Sequence, residues 1–383
     1  MNRQLIEFIR DEYRTNDPVP LHSPSFRGNE RQYILDCIDT TFVSSVGKYV
    51  DRFEKAIADY TGSKGCTATV TGTSALHIAL KLSGVQPDDL VITQSVTFVA
   101  TCNAINYCGA EPIFLDVSAN TLGLSPNALR TWLDTYAEID DQGRCIRKRD
   151  RRVIRACLPM HTFGHPCEIT EILKITNEWQ IALIEDAAES LGSLYQKRHT
   201  GTFGKAAAIS FNGNKIITTG GGGAILSDSA LAARAKHVTT TAKKAHPYEY
   251  VHDEIGFNYR LPNLNAALGC AQLELLESFI VNKRKLAARY ESFFTNADLT
   301  FFSEPPNCRS NYWLNAVLCN DSEHQRELIK ETNEHGIMTR PIWLPMHLTP
   351  MYRHCERGDL TVTEWLKDRV VNLPSSVVRK SIK

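Results

Sequence analysis

The sequence predicts an α/β protein: a mostly parallel central sheet with helices on both faces, followed by a smaller C-terminal α+β domain. Three observations predict it. From Cys66 to Ser227, short apolar runs ("CTATVT", "LVITQS", "PIFLDV", "VIRACLPMH", "IALIED", "AAAISF", "GAILS") alternate with helical stretches, as strands joined by covering helices do. A lone lysine, Lys215, stands in "SFNGNKIITTGGGGAIL" between the apolar "AAAIS" and four glycines. The run "IALIEDAAES" ends in Glu185 and Asp186, at the end of a buried strand, where open α/β sheets bind ligands.

In chain order, "MNRQLIEFIRDEYRTND" reads as an amphipathic helix and "NDPVPLHSPSF" as an extended arm that three prolines keep irregular. Arms of this kind pack across a neighbour more often than they fold alone. Residues 1–30 form this leading piece. "NERQYILDCIDTTF" and "YVDRFEKAIADYTG" read as helices joined by the turn "VSSVGK", and the alternating region follows, so residues 31–250 make the large domain. Within it, the polar, basic "DDQGRCIRKRDRR" around Gly143 is a hairpin or a loop. It has no aromatic residue on which a base could stack. Residues 251–383 hold a long apolar-periodic stretch, "LNAALGCAQLELLESFIVNKRKLAARYESFF", that links to a small domain starting near Asp298.

Composition narrows the function. At 383 residues the chain can bury a large core. Lysine plus arginine equals aspartate plus glutamate at 43 each, so charge supplies no attraction for nucleic acid or an anionic membrane. The eleven cysteines are scattered, without a CxxC pair, and mostly in apolar context, which reads as buried free thiols in a reducing compartment. With no signal-peptide pattern and no stretch able to span a bilayer, the cytoplasm is the expected location.

Lys215 and Asp186 suggest chemistry when taken together. A shielded lysine beyond a buried strand suits Schiff-base formation, although on its own it could be a surface residue. Asp186 could equally be the N-cap of the next helix. Pyridoxal phosphate accounts for both, since its aldehyde needs an amine and its ring nitrogen needs an anion. The phosphate needs a seat, which "TVTGTSALHIALKL" offers where the strand breaks at Gly72 and Thr73 and Ser74 open a helix.

The motifs "GTSALHIAL", "TFVATCNAINYCGAEPIFLDV", "EDAAESLGS", "GTFGKAAAISFNGNK", "GGGGAI" and "IGFNYRLPNLNAALGCAQLE" occur in that order across most of the chain. In this they resemble the pyridoxal-phosphate nucleotide-sugar aminotransferases of the DegT/DnrJ family. "TFVSSVGKYVDRFEKAIADYTG", "MHTFGHP" and "SNYWLNA" are most similar to the legionaminic acid and bacillosamine branch. The resemblance implies the type I fold of pyridoxal-phosphate transferases, with Lys215 as the cofactor lysine and Asp186 facing the ring nitrogen. It further implies Phe98 on the ring face; Thr73, Ser74 and Ser210 at the phosphate; and Asn258 reaching a neighbouring subunit's phosphate. A homodimer with shared sites follows. Arg260 and His347 are implied at the substrate, His347 with a loop histidine as the plain alternative.

Glu189 departs from the glutamine or histidine that many relatives carry three residues after the aspartate. A glutamate facing the cofactor's phenolic oxygen must be protonated or turn to the substrate, so a raised pKa is expected there; a helix-surface glutamate is the bland alternative. "HTFGHPC" gathers His161, His165 and Cys167, but its glycine and proline suit no helical metal motif, and no metal is expected. The function implied is transfer of an amino group from L-glutamate to C4 of a nucleotide-linked 4-keto-6-deoxy sugar, making a bacterial surface-glycan amino sugar. The expected acceptor is a UDP-2-acetamido-2,6-dideoxy-4-ketohexose, with GDP- and dTDP-ketosugars as competitors. Related dehydratases carry histidine in place of the lysine, which Lys215 argues against. A non-catalytic, cofactor-binding regulator of the same fold is the remaining alternative.

Overall fold

The computed structural model describes residues 1–378. Seven strands form the central sheet: β1 (Gly65–Thr69), β2 (Leu90–Gln94), β3 (Glu111–Leu115), β4 (Ile154–Leu158), β5 (Ala182–Asp186), β6 (Ala206–Ser210) and β7 (Gly223–Ser227). Their order is β1-β7-β6-β5-β4-β2-β3, and only β7 runs antiparallel to its neighbours. Each of the seven apolar runs in the sequence supplies one strand. The turn that carries Lys215 joins β6 to the antiparallel β7 and needs no crossover helix.

Alternation along the strands feeds two cores. Val91, Ile184, Ala206 and Ala208 pack with Leu76, Ala79 and Leu80 of the helix Gly72–Leu82. Leu90, Ile92 and Leu183 face the opposite way, onto Leu129 and Leu133 of Pro126–Tyr136 and Ile172 of Ile169–Glu178. Successive residues of a strand point to opposite faces, so strands this apolar require helices on both sides. The segment 140–152 supplies the turn and second strand of a hairpin, Ala137–Ile139 against Cys145–Arg147, and its basic character is partly internal: Arg147 is buried and ion-paired to Asp150 and Glu356.

The small domain carries four antiparallel strands, β8 (Thr300–Phe301), β9 (Asn315–Leu318), β10 (Arg340–Pro341) and β11 (Val370–Leu373), in the order β8-β9-β11-β10, with the helix Ser322–Glu334. The linking segment breaks into two helices, Asn263–Leu273 and Leu276–Phe294, bent by 58°. The first of them and the opening turns of the second, with Leu276, Phe279 and Ile280, serve one core, and the rest of the second serves another. Ala266, Ala267 and Cys270 pack with Phe53, whereas Leu286, Tyr290 and Phe294 pack with Leu5 and Ile9 of the first helix, Asn2–Tyr13. The proline-rich arm lies on its own chain. Val19 N–H donates to Gly336 O at 2.8 Å, and Leu21 O accepts from Ser375 N–H at 2.7 Å. Among the described residues no single helix is long and apolar enough to cross a membrane.

Candidate active site

The C-terminal ends of β5 and β6 and the turn that follows β1 open into one cavity of about 280 Å³. Its lining includes Gly72, Thr73, Phe98, Asp186, Glu189, Ser210 and Lys215 from the large domain, and Trp313 and Trp343 from the small one. Gln94 braces the rim from below. Its amide nitrogen donates to the Val96 and Leu122 carbonyls, and its oxygen accepts from the Leu124 and Met160 N–H groups.

Lys215 Nζ donates to Glu189 Oε1 at 3.1 Å and lies 4.0 Å from the centroid of the Trp313 ring. Glu189 is buried, and its second oxygen accepts the Phe163 N–H at 2.9 Å. Phe163 sits at φ 57°, a left-handed conformation that costs a phenylalanine about 1–2 kcal/mol and turns its N–H toward the carboxylate. Burial pushes the Glu189 carboxyl up to about 7, against the downward pull of Lys215 and the Phe163 N–H.

Strand alternation separates the two acids at the end of β5. Asp186 enters the cavity, where Oδ2 accepts from Thr101 Oγ1 at 2.7 Å and Oδ1 from Ala188 N–H at 3.1 Å. Burial raises its pKa, with the Thr101 and Ala188 hydrogen bonds opposing. A buried carboxylate in this state is stabilised by a cationic group placed against it. Glu185 turns away, accepting N–H bonds from Gly201, Phe203 and Gly204 and pairing with His161 Nε2 at 3.0 Å. Burial opposes that pair, yet the bonds outweigh it and hold the Glu185 pKa down. His165 is apart from His161, its ring edge-on to Phe302 and Tyr312.

A phosphate-sized cradle lies where the helix Gly72–Leu82 begins. Thr71 caps it, accepting from Ser74 N–H at 3.0 Å, and the N–H groups of Gly72 and Thr73 lack intrahelical partners. A Cβ at Gly72 would lie 2.8 Å from Ser210 Cβ, so glycine there keeps the gap open. The cavity thus offers an amine, a buried carboxylate and an anion seat in the relative order that pyridoxal phosphate requires, and these residues fit that cofactor.

The DegT/DnrJ/EryC1/StrS aminotransferase family model matches residues 24–380. The chain belongs to this family. Family members at this similarity include GDP-perosamine synthase of Escherichia coli O157:H7, 35% identical over 358 residues and 93% of each chain. EpsN of Bacillus subtilis is 35% identical over 365 residues, covering 93% of this chain and 90% of EpsN. Among solved structures, a DegT DnrJ EryC1 StrS aminotransferase from Brucella abortus is 26% identical at TM-score 0.82, covering 92% of this chain and 91% of its own. The aminotransferase TlmJ from Streptoalloteichus hindustanus, at 24% identity, shares the fold at TM-score 0.85 over 95% of both chains. The protein is therefore a pyridoxal-phosphate-dependent sugar aminotransferase with the type I fold.

Of the residues singled out in the sequence, the structure brings Thr73, Phe98, Asp186, Glu189, Ser210 and Lys215 together. Ser74 stands one residue behind the lining, its Oγ 2.8 Å from Thr71 Oγ1. Asn258 and Arg260 lie outside the cavity on a segment that borders β1, with Asn258 exposed and accepting from Arg260 at 3.3 Å. His347 is also outside it. It is buried between Ser95 Oγ (2.7 Å) and Glu364 Oε1 (2.6 Å), a tie between the small domain and the end of β2. Sequence reasoning missed Trp313, Trp343, Thr101 and the Phe163 N–H. Only Thr101 had a local signal, its place three residues after Phe98 at the start of the helix Val99–Tyr107.

Proposed function

We propose that the chain transfers an amino group from L-glutamate to C4 of a nucleoside-diphosphate-linked 4-keto-6-deoxy sugar, for an amino sugar of a bacterial surface glycan. The convergence of Lys215, Glu189 and Asp186 in one cavity beside an anion-binding helix start carries this reading. When bound, pyridoxal phosphate supplies an aldehyde for an amine and a ring that accepts electrons from the substrate carbon. Lys215 would be the amine and would carry the proton to and from that carbon. Asp186, held by Thr101, would keep the ring nitrogen protonated. Gly72, Thr73 and Ser210 would hold the phosphate with Ser74 behind them, and Phe98 would cover the ring. Glu189 accepts from Lys215 Nζ through Oε1 and, with its titration moved up toward neutrality by burial, takes up and returns a proton beside that amine.

In the same reading two copies associate, and the exposed Asn258 and the half-buried Arg260 reach the partner's site. His347 acts through the loop bearing Trp343. The acceptor nucleotide is guanosine diphosphate, a choice supported by the names of the relatives at 34–35% identity in Escherichia coli, Caulobacter vibrioides and Vibrio cholerae. The motifs shared with the bacillosamine and legionaminic acid branch support a UDP-linked acceptor as the second reading. Incubation with glutamate and GDP-, UDP- and dTDP-linked 4-ketosugars, followed by mass spectrometry, tests both. Amination of the GDP-sugar is expected. Amination of only the UDP-sugar selects the second reading, and amination of none refutes the function.

A further inference from the structure

Trp313 forms the small-domain wall of the cavity and is the ring that meets Lys215 Nζ. It is tethered at three points. Its N–H donates to Asn311 Oδ1 at 2.8 Å, its indole Nε1 to Asn214 O at 2.7 Å, and its carbonyl accepts from Lys283 Nζ at 3.2 Å. Lys283 lies in the helix Leu276–Phe294, and its side chain is fully buried. The amine makes no ion pair with any described residue. Its other acceptor is the carbonyl of Ser375, whose N–H in turn donates to Leu21 O in the arm.

Burying an unpaired amine is costly unless its N–H groups are hydrogen-bonded, and here they are, to the Trp313 and Ser375 carbonyls. Burial pushes Lys283 down to about 7. A neutral amine has two N–H donors and two carbonyls face it, so both bonds persist in either protonation state. Without the amine, two buried carbonyls would be left unsatisfied, one of them on the residue that touches Lys215.

We propose that Lys283 is a positioning residue for the reaction: it ties Trp313 to the arm and the C-terminal segment and thereby fixes the indole against Lys215. The inference rests on Lys215 being the reactive amine. It concerns a residue that does not line the cavity, and its effect on the reaction is carried by Trp313.

A double-mutant cycle in the full-length holoenzyme tests it. Lys283→Met and Trp313→Phe are made singly and together, and the emission of Trp313 is isolated by subtracting each Trp313→Phe counterpart. Lys283→Met is expected to shift that emission and to lower kcat roughly ten- to a hundred-fold with KM nearly unchanged. In the Trp313→Phe background the same change should alter kcat by less than about two-fold. An unshifted Trp313 emission, or an equal kcat loss in both backgrounds, overturns the proposal. If Lys283→Met does not fold, Lys283→Leu, which also lacks an N–H donor for the two carbonyls, takes its place in the cycle under the same criteria. The emission measurement needs no turnover, so it separates failure of this tether from failure of the assigned activity.

Discussion

Replacing Glu189 by glutamine gives a sharp test of the site's electrostatics. The carboxyl rises from an ordinary 4.5 to about 7 in the folded chain because it is buried. Between those values the folded chain keeps a proton that the unfolded chain has released. Stability therefore falls as pH rises through this window, by about 1.4 kcal/mol per pH unit, and levels off above about 7. The accumulated penalty is roughly 3 kcal/mol, already including the attraction of Lys215 at 3.1 Å. Glutamine preserves shape, can accept from the Phe163 N–H and has no charge to bury. The stability of Glu189→Gln minus that of the native chain should thus climb by about 3 kcal/mol from about pH 4.5 to pH 8. Denaturant unfolding of the cofactor-free chain, at fixed protein concentration because association would shift the midpoint, measures this difference. Parallel stability curves across the window would refute the reasoning and place an ionised Glu189 in the resting site.

Lys215→Ala should leave no lysine that borohydride can fix to the cofactor and no detectable amination, as read by peptide mass mapping; label on another lysine would contradict the assignment. Thr101→Val removes a hydrogen bond to the buried Asp186 carboxylate and should lower kcat about ten-fold, from a loss of about 1–2 kcal/mol. Gly72→Ala places a methyl 2.8 Å from Ser210 Cβ and should weaken cofactor affinity at least about ten-fold in an absorbance titration. Gly164→Ala meets a φ of 94° and a Cβ 1.9 Å from Asn311 Oδ1, so a loss of about 3 kcal/mol or more is expected on unfolding, and a loss below about 1 kcal/mol would contradict the packing described.

How much of this was legible in the sequence varies by residue. The strands and the order of Thr73, Asp186, Ser210 and Lys215 could be read because each residue lies just past an apolar run. The ends of parallel strands lie together in the fold, so adjacency to a strand's end implies adjacency to the site. Glu189 was visible as an oddity, but its partners were not, since Phe163 reaches it only through a left-handed turn distant in sequence. Glu185 and Asp186 look equivalent as letters. Which one enters the cavity depends on which face of β5 meets which helices.

The sequence by itself determined the layered sheet, the family and the large-domain half of the site, because periodicity and strand-end position are local properties that survive without coordinates. Only the tertiary structure decided that Trp313 and Trp343 complete the cavity, that His347 is held between Ser95 and Glu364, that the linking helix bends after Leu273 and that the arm lies on its own chain. Each of these depends on contacts between segments tens to hundreds of residues apart, and no local pattern encodes which distant surface a side chain will meet.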